Sequence, residues 1–128
     1  MKLFLVVDFQ KGRADRILSA DDALTLDSRI SKRIHDCRFD GTDVIFTVDI
    51  RCGKELYGRT SKQKLMCDMI FYKNTDVSSE LAEYLKQKEY SEVEICGLMS
   101  DGVISANAEV IKSILPKAEI IIDKTLTY

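Results

Sequence analysis

The sequence predicts an α/β fold, a three-layer, Rossmann-like sandwich around a mostly parallel sheet of five or six strands. Three observations predict it. Short apolar runs rich in β-branched and aromatic residues recur along the chain, segments with helical spacing separate them, and the connections are long enough for right-handed crossovers. The 128 residues suffice for one domain, residues 1–128, whose core needs neither disulfide nor metal.

Residues 3–7 (LFLVV) are continuously apolar, as in a strand covered on both faces, and Asp8 ends the run. Leu26, Ile30, Ile34 and Cys37 recur at helical spacing within residues 22–37, with Ser19 as the cap and Asp22 in the first turn. Asp40-Gly41 then turns the chain, and residues 44–48 form a second buried strand. Residues 50–63 are polar and cationic, with Arg51, Lys54, Arg59 and Lys62, and read as a loop or shortened lid. Residues 69–72 give a third strand. Ser78 or Ser79 opens a helix to about Lys88, with Leu81, Ala82 and Leu85 inward. Residues 93–96 are a fourth strand, residues 102–115 a helix stopped by Pro116, and residues 118–122 a fifth strand.

Composition excludes several classes. A net charge of −2 with both signs dispersed gives no basic stripe for nucleic acid, and no apolar run is long enough to span a membrane. Cys37, Cys52, Cys67 and Cys96 make no CxxC pair, and His35 is the single histidine, so no metal site is expected. The first apolar run is too short for a signal peptide and lacks a small-residue cleavage site. Free thiols in a reducing, cytoplasmic compartment follow as the expectation.

Ligands of open parallel sheets bind outside the carboxyl ends of the strands. That rule gathers Asp8, Asp49, Lys73 and residues 97–103 on one rim. Asp8 follows a buried strand beside Phe9 and Gln10, and Lys73 opposite it would compensate its charge. Removing either would leave the other uncompensated.

The run Leu5-Val6-Val7-Asp8-Phe9-Gln10 ends in D-x-Q, Lys73 follows the third strand, and Gly97-Leu98-Met99-Ser100-Asp101-Gly102-Val103-Ile104-Ser105-Ala106-Asn107-Ala108 forms a strand–turn–helix signature. In this order, these features resemble the isochorismatase-like, nicotinamidase-type cysteine hydrolases, from the start of the chain to about Asp123. The resemblance implies an isochorismatase-like fold in which Asp8 stands at the general base, Lys73 at the catalytic lysine and Val103 at the nucleophilic cysteine. Such chemistry needs a thiolate at a helix start, a carboxylate to take its proton and backbone amides for the oxyanion. Valine supplies none of the thiol's functions, and Ser105 points away by about 200° at the helical period. The family's metal motif, Asp-x-His, corresponds to Asp49-Ile50-Arg51, and arginine does not ligate a cation. Arg51 would instead offer a guanidinium to a carboxylate or phosphate.

The resemblance therefore implies a pseudoenzyme without catalytic residues, metal or cofactor. It would bind or sequester a small metabolite, anionic or derived from nicotinamide or a nucleotide, one version being a viral sponge for a nucleotide signal. The expected ligand-binding set is Asp8, Phe9, Gln10, Asp49, Arg51, Lys73, Ser100, Asp101, Gly102 and Val103, in a homo-oligomer. Two alternatives remain open at this point. One is a hydrolase of C–N or related bonds with altered catalytic residues, the other a regulatory or scaffold subunit.

Overall fold

The computed structural model describes residues 1–58, 68–98 and 102–128. Strand β1 (Lys2–Val7) leads into helix α1 (Lys11–Ile17) and then helix α2 (Ala20–Asp40). Strands β2 (Asp43–Asp49) and β3 (Met69–Lys73) follow, then helix α3 (Ser79–Lys86), strand β4 (Glu92–Gly97), helix α4 (Val103–Ile114) and strand β5 (Glu119–Thr127). The five strands form one sheet in the order β3-β2-β1-β4-β5, and every pair is parallel.

Alternation along β1 divides the core into two layers. Phe4 and Val6 join Val44, Phe46, Val48 and Cys96 under Leu26, Ile30, Ile34 and Cys37 of α2. Leu3, Leu5 and Val7 face the other way, with Ile45, Phe71, Val93 and Ile95, against Leu81 and Leu85 of α3 and Val103, Ile104 and Ile111 of α4. The central strands read as continuous apolar runs because helices cover both faces. The expected three-layer arrangement is thus observed, with five strands.

Local chemistry sets most boundaries. Ser19 Oγ accepts from Asp22 N, so α2 begins at Ala20, earlier than the apolar spacing indicates. It runs on to Asp40 and ends at Gly41, whose φ of 77° is a left-handed cap. Ser78 is the cap of α3, accepting from Leu81 N at 3.1 Å, and that helix ends at Lys86. Strand β5 reaches Thr127, five residues past the expected end, because after an irregularity it pairs again with Gly97. Helix α1 was not expected. Its sequence, KGRADRI, has no apolar period, only Ala14 is buried, and Gln10 gives it no side-chain cap.

The sheet order reverses at β1, which carries β2 on one side and β4 on the other. The crevice beyond the carboxyl ends of β1 and β4 is therefore the topological switch point. Register lines up the strand ends there, with Val7 beside Thr47 and Gly97, and Asp49 beside Lys73. No described helix is long and apolar enough to cross a membrane.

Candidate functional site

Asp8 is the first residue beyond β1 and sits in the left-handed region, with φ 52°. A non-glycine residue there is strained and persists only where its surroundings fix it. Here its N–H donates to Thr47 O at 3.1 Å, and the Thr47 hydroxyl donates to Asp8 Oδ1 at 2.8 Å. The opposite wall of the turn is Gly97, with φ 123°. A Cβ on Gly97 would lie 2.1 Å from Val7 O, so only glycine lets β4 pass this close to β1.

Lys73 ends β3 and reaches across the rim, placing Nζ 3.0 Å from Asp8 Oδ2. The same ammonium donates to Asp76 O at 2.5 Å. Asn107, one turn into α4, donates from Nδ2 to Asp76 O at 3.0 Å and to Val103 O at 2.8 Å. Asp76 O is thus the shared acceptor that ties Lys73 to the start of α4. Asn107 Oδ1 is buried with no hydrogen-bond partner among the described residues.

Asp49, at the end of β2, carries a second buried carboxylate. Arg51 folds back on it, with Nη2 2.6 Å from Oδ2 and Nε 2.9 Å from Oδ1, and also donates to Asp76 Oδ1 at 3.1 Å. Hydrogen bonding from Arg51 holds the Asp49 carboxyl below its ordinary value, against the effect of burial. Asp8 goes the other way. Burial raises it, and the charge and hydrogen bond of Lys73, then Thr47 and Arg13, pull back only part of that rise.

Arg13 joins the two carboxylates. From α1 its Nη1 lies 3.5 Å from Asp8 Oδ2 and 3.5 Å from Asp49 Oδ2, and the side chain is 11% exposed. Sequence reading did not select this residue. The available signal was positional, since the segment that leaves β1 at a switch point must pass over the rim, and a cation on it becomes a rim residue.

The predicted residues divide into groups. Asp8, Asp49 and Lys73 converge, and Arg51 converges with them but spends its guanidinium on Asp49 and Asp76. Gln10 is fully buried and joins two chain segments. Its Oε1 accepts from Asp49 N at 2.8 Å, and its Nε2 donates to Asp49 O at 2.9 Å and Gly53 O at 2.6 Å. Phe9 is likewise fully buried, its ring centre 5.3 Å from that of Tyr57. Gly102, with φ 80°, precedes α4, and Val103 is the first residue of that helix and 4% exposed. Ser100 and Asp101 lie outside the described residues. Beside Lys73, between Ile50, Tyr72 and the start of α3, opens a cleft of about 270 Å³. Lys73 lines this cleft, and its ammonium is paired with Asp8.

Neither buried thiol offers a nucleophile. Cys96 lies in the core of β4 and burial pushes its thiol well up, while burial raises Cys37 to about 11. Cys52 is half-buried, and Cys67 lies outside the described residues. The donor set does not suit a metal either. Guanidinium groups already bind the Asp49 oxygens, and no group of three or more His, Cys, Asp or Glu among the described residues is arranged to hold an ion.

The fold is shared with solved structures. A nicotinamidase from Staphylococcus aureus superposes with a TM-score of 0.70 at 24% identity, over 93% of this chain and 78% of that one. The MAR1 ribonuclease from Caenorhabditis elegans gives 0.73 at 16% identity, over 98% and 64%. An isochorismatase from Pseudomonas putida KT2440 gives 0.78 at 14% identity, over 98% and 70%. No family model and no curated protein matches the sequence. The expected isochorismatase-like α/β fold is therefore present, and hydrolases of different named activities carry it.

Proposed function

We propose that this chain is a binding protein built on a hydrolase fold. It holds a small metabolite, anionic or derived from nicotinamide or a nucleotide, at the carboxyl rim of the sheet and does not cleave it by cysteine chemistry. One observation carries the reading. Val103 occupies the first position of α4, where a helix start would stabilise a thiolate, while the Asp8–Lys73 pair is intact at 3.0 Å and is tied to that helix through Asp76 O and Asn107. A valine there has no lone pair to attack a carbonyl and no proton to pass to Asp8. The buried positions of Cys37 and Cys96 support the same reading, because a buried apolar thiol is inert.

The test combines two measurements. Native mass spectrometry of the purified protein is expected to show a bound small molecule that is released chemically intact on denaturation. In parallel, the wild type is expected to hydrolyse nicotinamide no faster than buffer, with Val103→Cys assayed beside it for gained turnover. Wild-type amidase activity that disappears in Asp8→Ala would overturn the proposal in favour of an altered hydrolase.

A further inference from the structure

We infer that Arg13 is the anion anchor of this rim, its guanidinium taking a carboxylate or phosphate group of the bound molecule. The inference rests on the binding reading above and assigns the group that recognises the ligand. It starts from an imbalance among the rim's ion pairs. Asp8 has Lys73 at 3.0 Å and Asp49 has Arg51 at 2.6 Å, so each buried carboxylate already holds a close cation. Arg13 stands between them at 3.5 Å from each, through a single nitrogen. That distance is at the outer limit of a hydrogen bond.

A guanidinium carries five N–H donors in a planar fork, and taking it out of water is costly unless close acceptors replace the water. At 11% exposure, Arg13 has lost most of its water, and its contacts with the described carboxylates are long. Among the described residues, the rim cations Lys73 and Arg51 are committed. Lys73 donates to Asp76 O as well as facing Asp8, and Arg51 is bound to Asp49 and Asp76. Of these three described cations, Arg13 is therefore the one best able to accept a further partner. It emerges from the segment that follows β1, over the switch point where ligands of such sheets bind. A planar oxyanion matches its fork, as in bidentate arginine pairs with carboxylate and phosphate.

Nuclear magnetic resonance titration of the full chain with benzoate, phenyl phosphate and neutral benzamide tests this. The wild type is expected to bind benzoate, phenyl phosphate or both, with the Arg13 Nε–Hε resonance shifting. The preferred anion identifies which oxyanion the site takes. Arg13→Gln should weaken anion binding about tenfold or more, the loss expected for a charge-assisted hydrogen bond. Arg13→Lys should fall between, because it keeps the charge and loses the fork. Lys32→Gln, which removes one charge from an exposed position on α2, should bind as the wild type does. If Arg13→Gln does not fold, the wild-type Nε shift and the Arg13→Lys affinity decide. Equal anion affinity in wild type and Arg13→Gln would overturn the assignment. Benzamide binding without either anion would also overturn it and leave the binding reading standing. Failure of all three probes to bind the wild type would overturn both.

Discussion

Lys73 Nζ lies 3.0 Å from Asp8 Oδ2, with the two side chains 2% and 0% exposed. A pair sealed this far from water holds together two charges that would each be costly alone. Replacing Lys73 with Met keeps the length of the side chain and removes the charge. Asp8 would retain the Thr47 hydroxyl at 2.8 Å and Arg13 only at 3.5 Å. The expected loss at pH 7 is about 3–5 kcal/mol, the range for breaking a buried pair. Chemical denaturation with an unchanged m-value reads it. The loss should shrink as pH falls and Asp8 takes up a proton. A cost below about 1 kcal/mol would mean that the carboxylate is already neutral at pH 7 or finds water.

The two rim carboxylates should respond to pH with opposite signs. Burial first, only partly offset by Lys73, raises Asp8 above its ordinary 3.8, so the folded state binds its proton more readily than the unfolded state. Its contribution is present below the unfolded value and is lost as pH rises through the folded one. Hydrogen bonding from Arg51 first lowers Asp49 below 3.8, so its contribution is present above that value and lost as pH falls through the depressed one. Asp49→Asn should therefore destabilise the protein at neutral pH by an amount that narrows below about pH 4. Wild-type and variant stabilities measured across this range check the sign. A difference that is flat with pH would show that Asp49 does not titrate differently on folding.

Most of the fold was legible because local chemistry and tertiary packing agree. Apolar runs mark the strands, Ser19 and Ser78 mark two helix starts, and Pro116 follows the end of α4. What was illegible depends on partners distant in sequence. Helix α1 has no apolar period, and its contacts reach residues distant in sequence, with Lys11 N–H donating to Glu55 O and Arg13 reaching Asp49, so neither the helix nor the place of Arg13 was legible. Gln10 fits a motif on paper, yet its amide joins the end of β2 to Gly53, a role visible only once residues 39 and 43 positions away are brought to it. The charge of Arg51 was legible, whereas its engagement by Asp49 and Asp76 was not. The latter comes from a loop 25 residues downstream.

Gly97→Ala tests how tightly the switch point is built. The added methyl would lie 2.1 Å from Val7 O, a backbone atom that cannot turn aside, and φ of 123° disfavours any L side chain. Either β1 and β4 must separate or the turn must flip. The expected destabilisation is about 4 kcal/mol or more, enough to leave much of a marginally stable domain unfolded. Gly41→Ala is the comparison, since it shares a positive φ of 77° but meets nothing within 4 Å. It should cost about 1–2 kcal/mol, the left-handed backbone penalty alone. Similar losses in the two variants, measured by thermal or chemical unfolding, would place the cost in backbone conformation and remove the close approach as its cause.

Val103→Cys asks whether the rim still supports a thiolate. The substitution nearly conserves volume, so its stability cost should stay below about 1.5 kcal/mol. The introduced thiol would stand at the first position of a twelve-residue helix, where the dipole and backbone N–H groups favour an anion. The backbone carbonyl of residue 103 is joined through Asn107 and Asp76 to the loop that holds Lys73, which fixes the helix start. Against this works the 4% exposure of the position, because burial disfavours charge. The helix start should prevail, giving a thiol that reacts with iodoacetamide with a midpoint below the ordinary value of about 8.5. Cys37 and Cys96 should stay unlabelled in the folded protein, since burial raises the first to about 11 and the second well up. Rate–pH profiles with peptide mapping distinguish the sites. A midpoint at or above 8.5 for the introduced thiol would mean that the valine marks a rim already rebuilt around an apolar residue, where restoring a single atom does not restore a nucleophile.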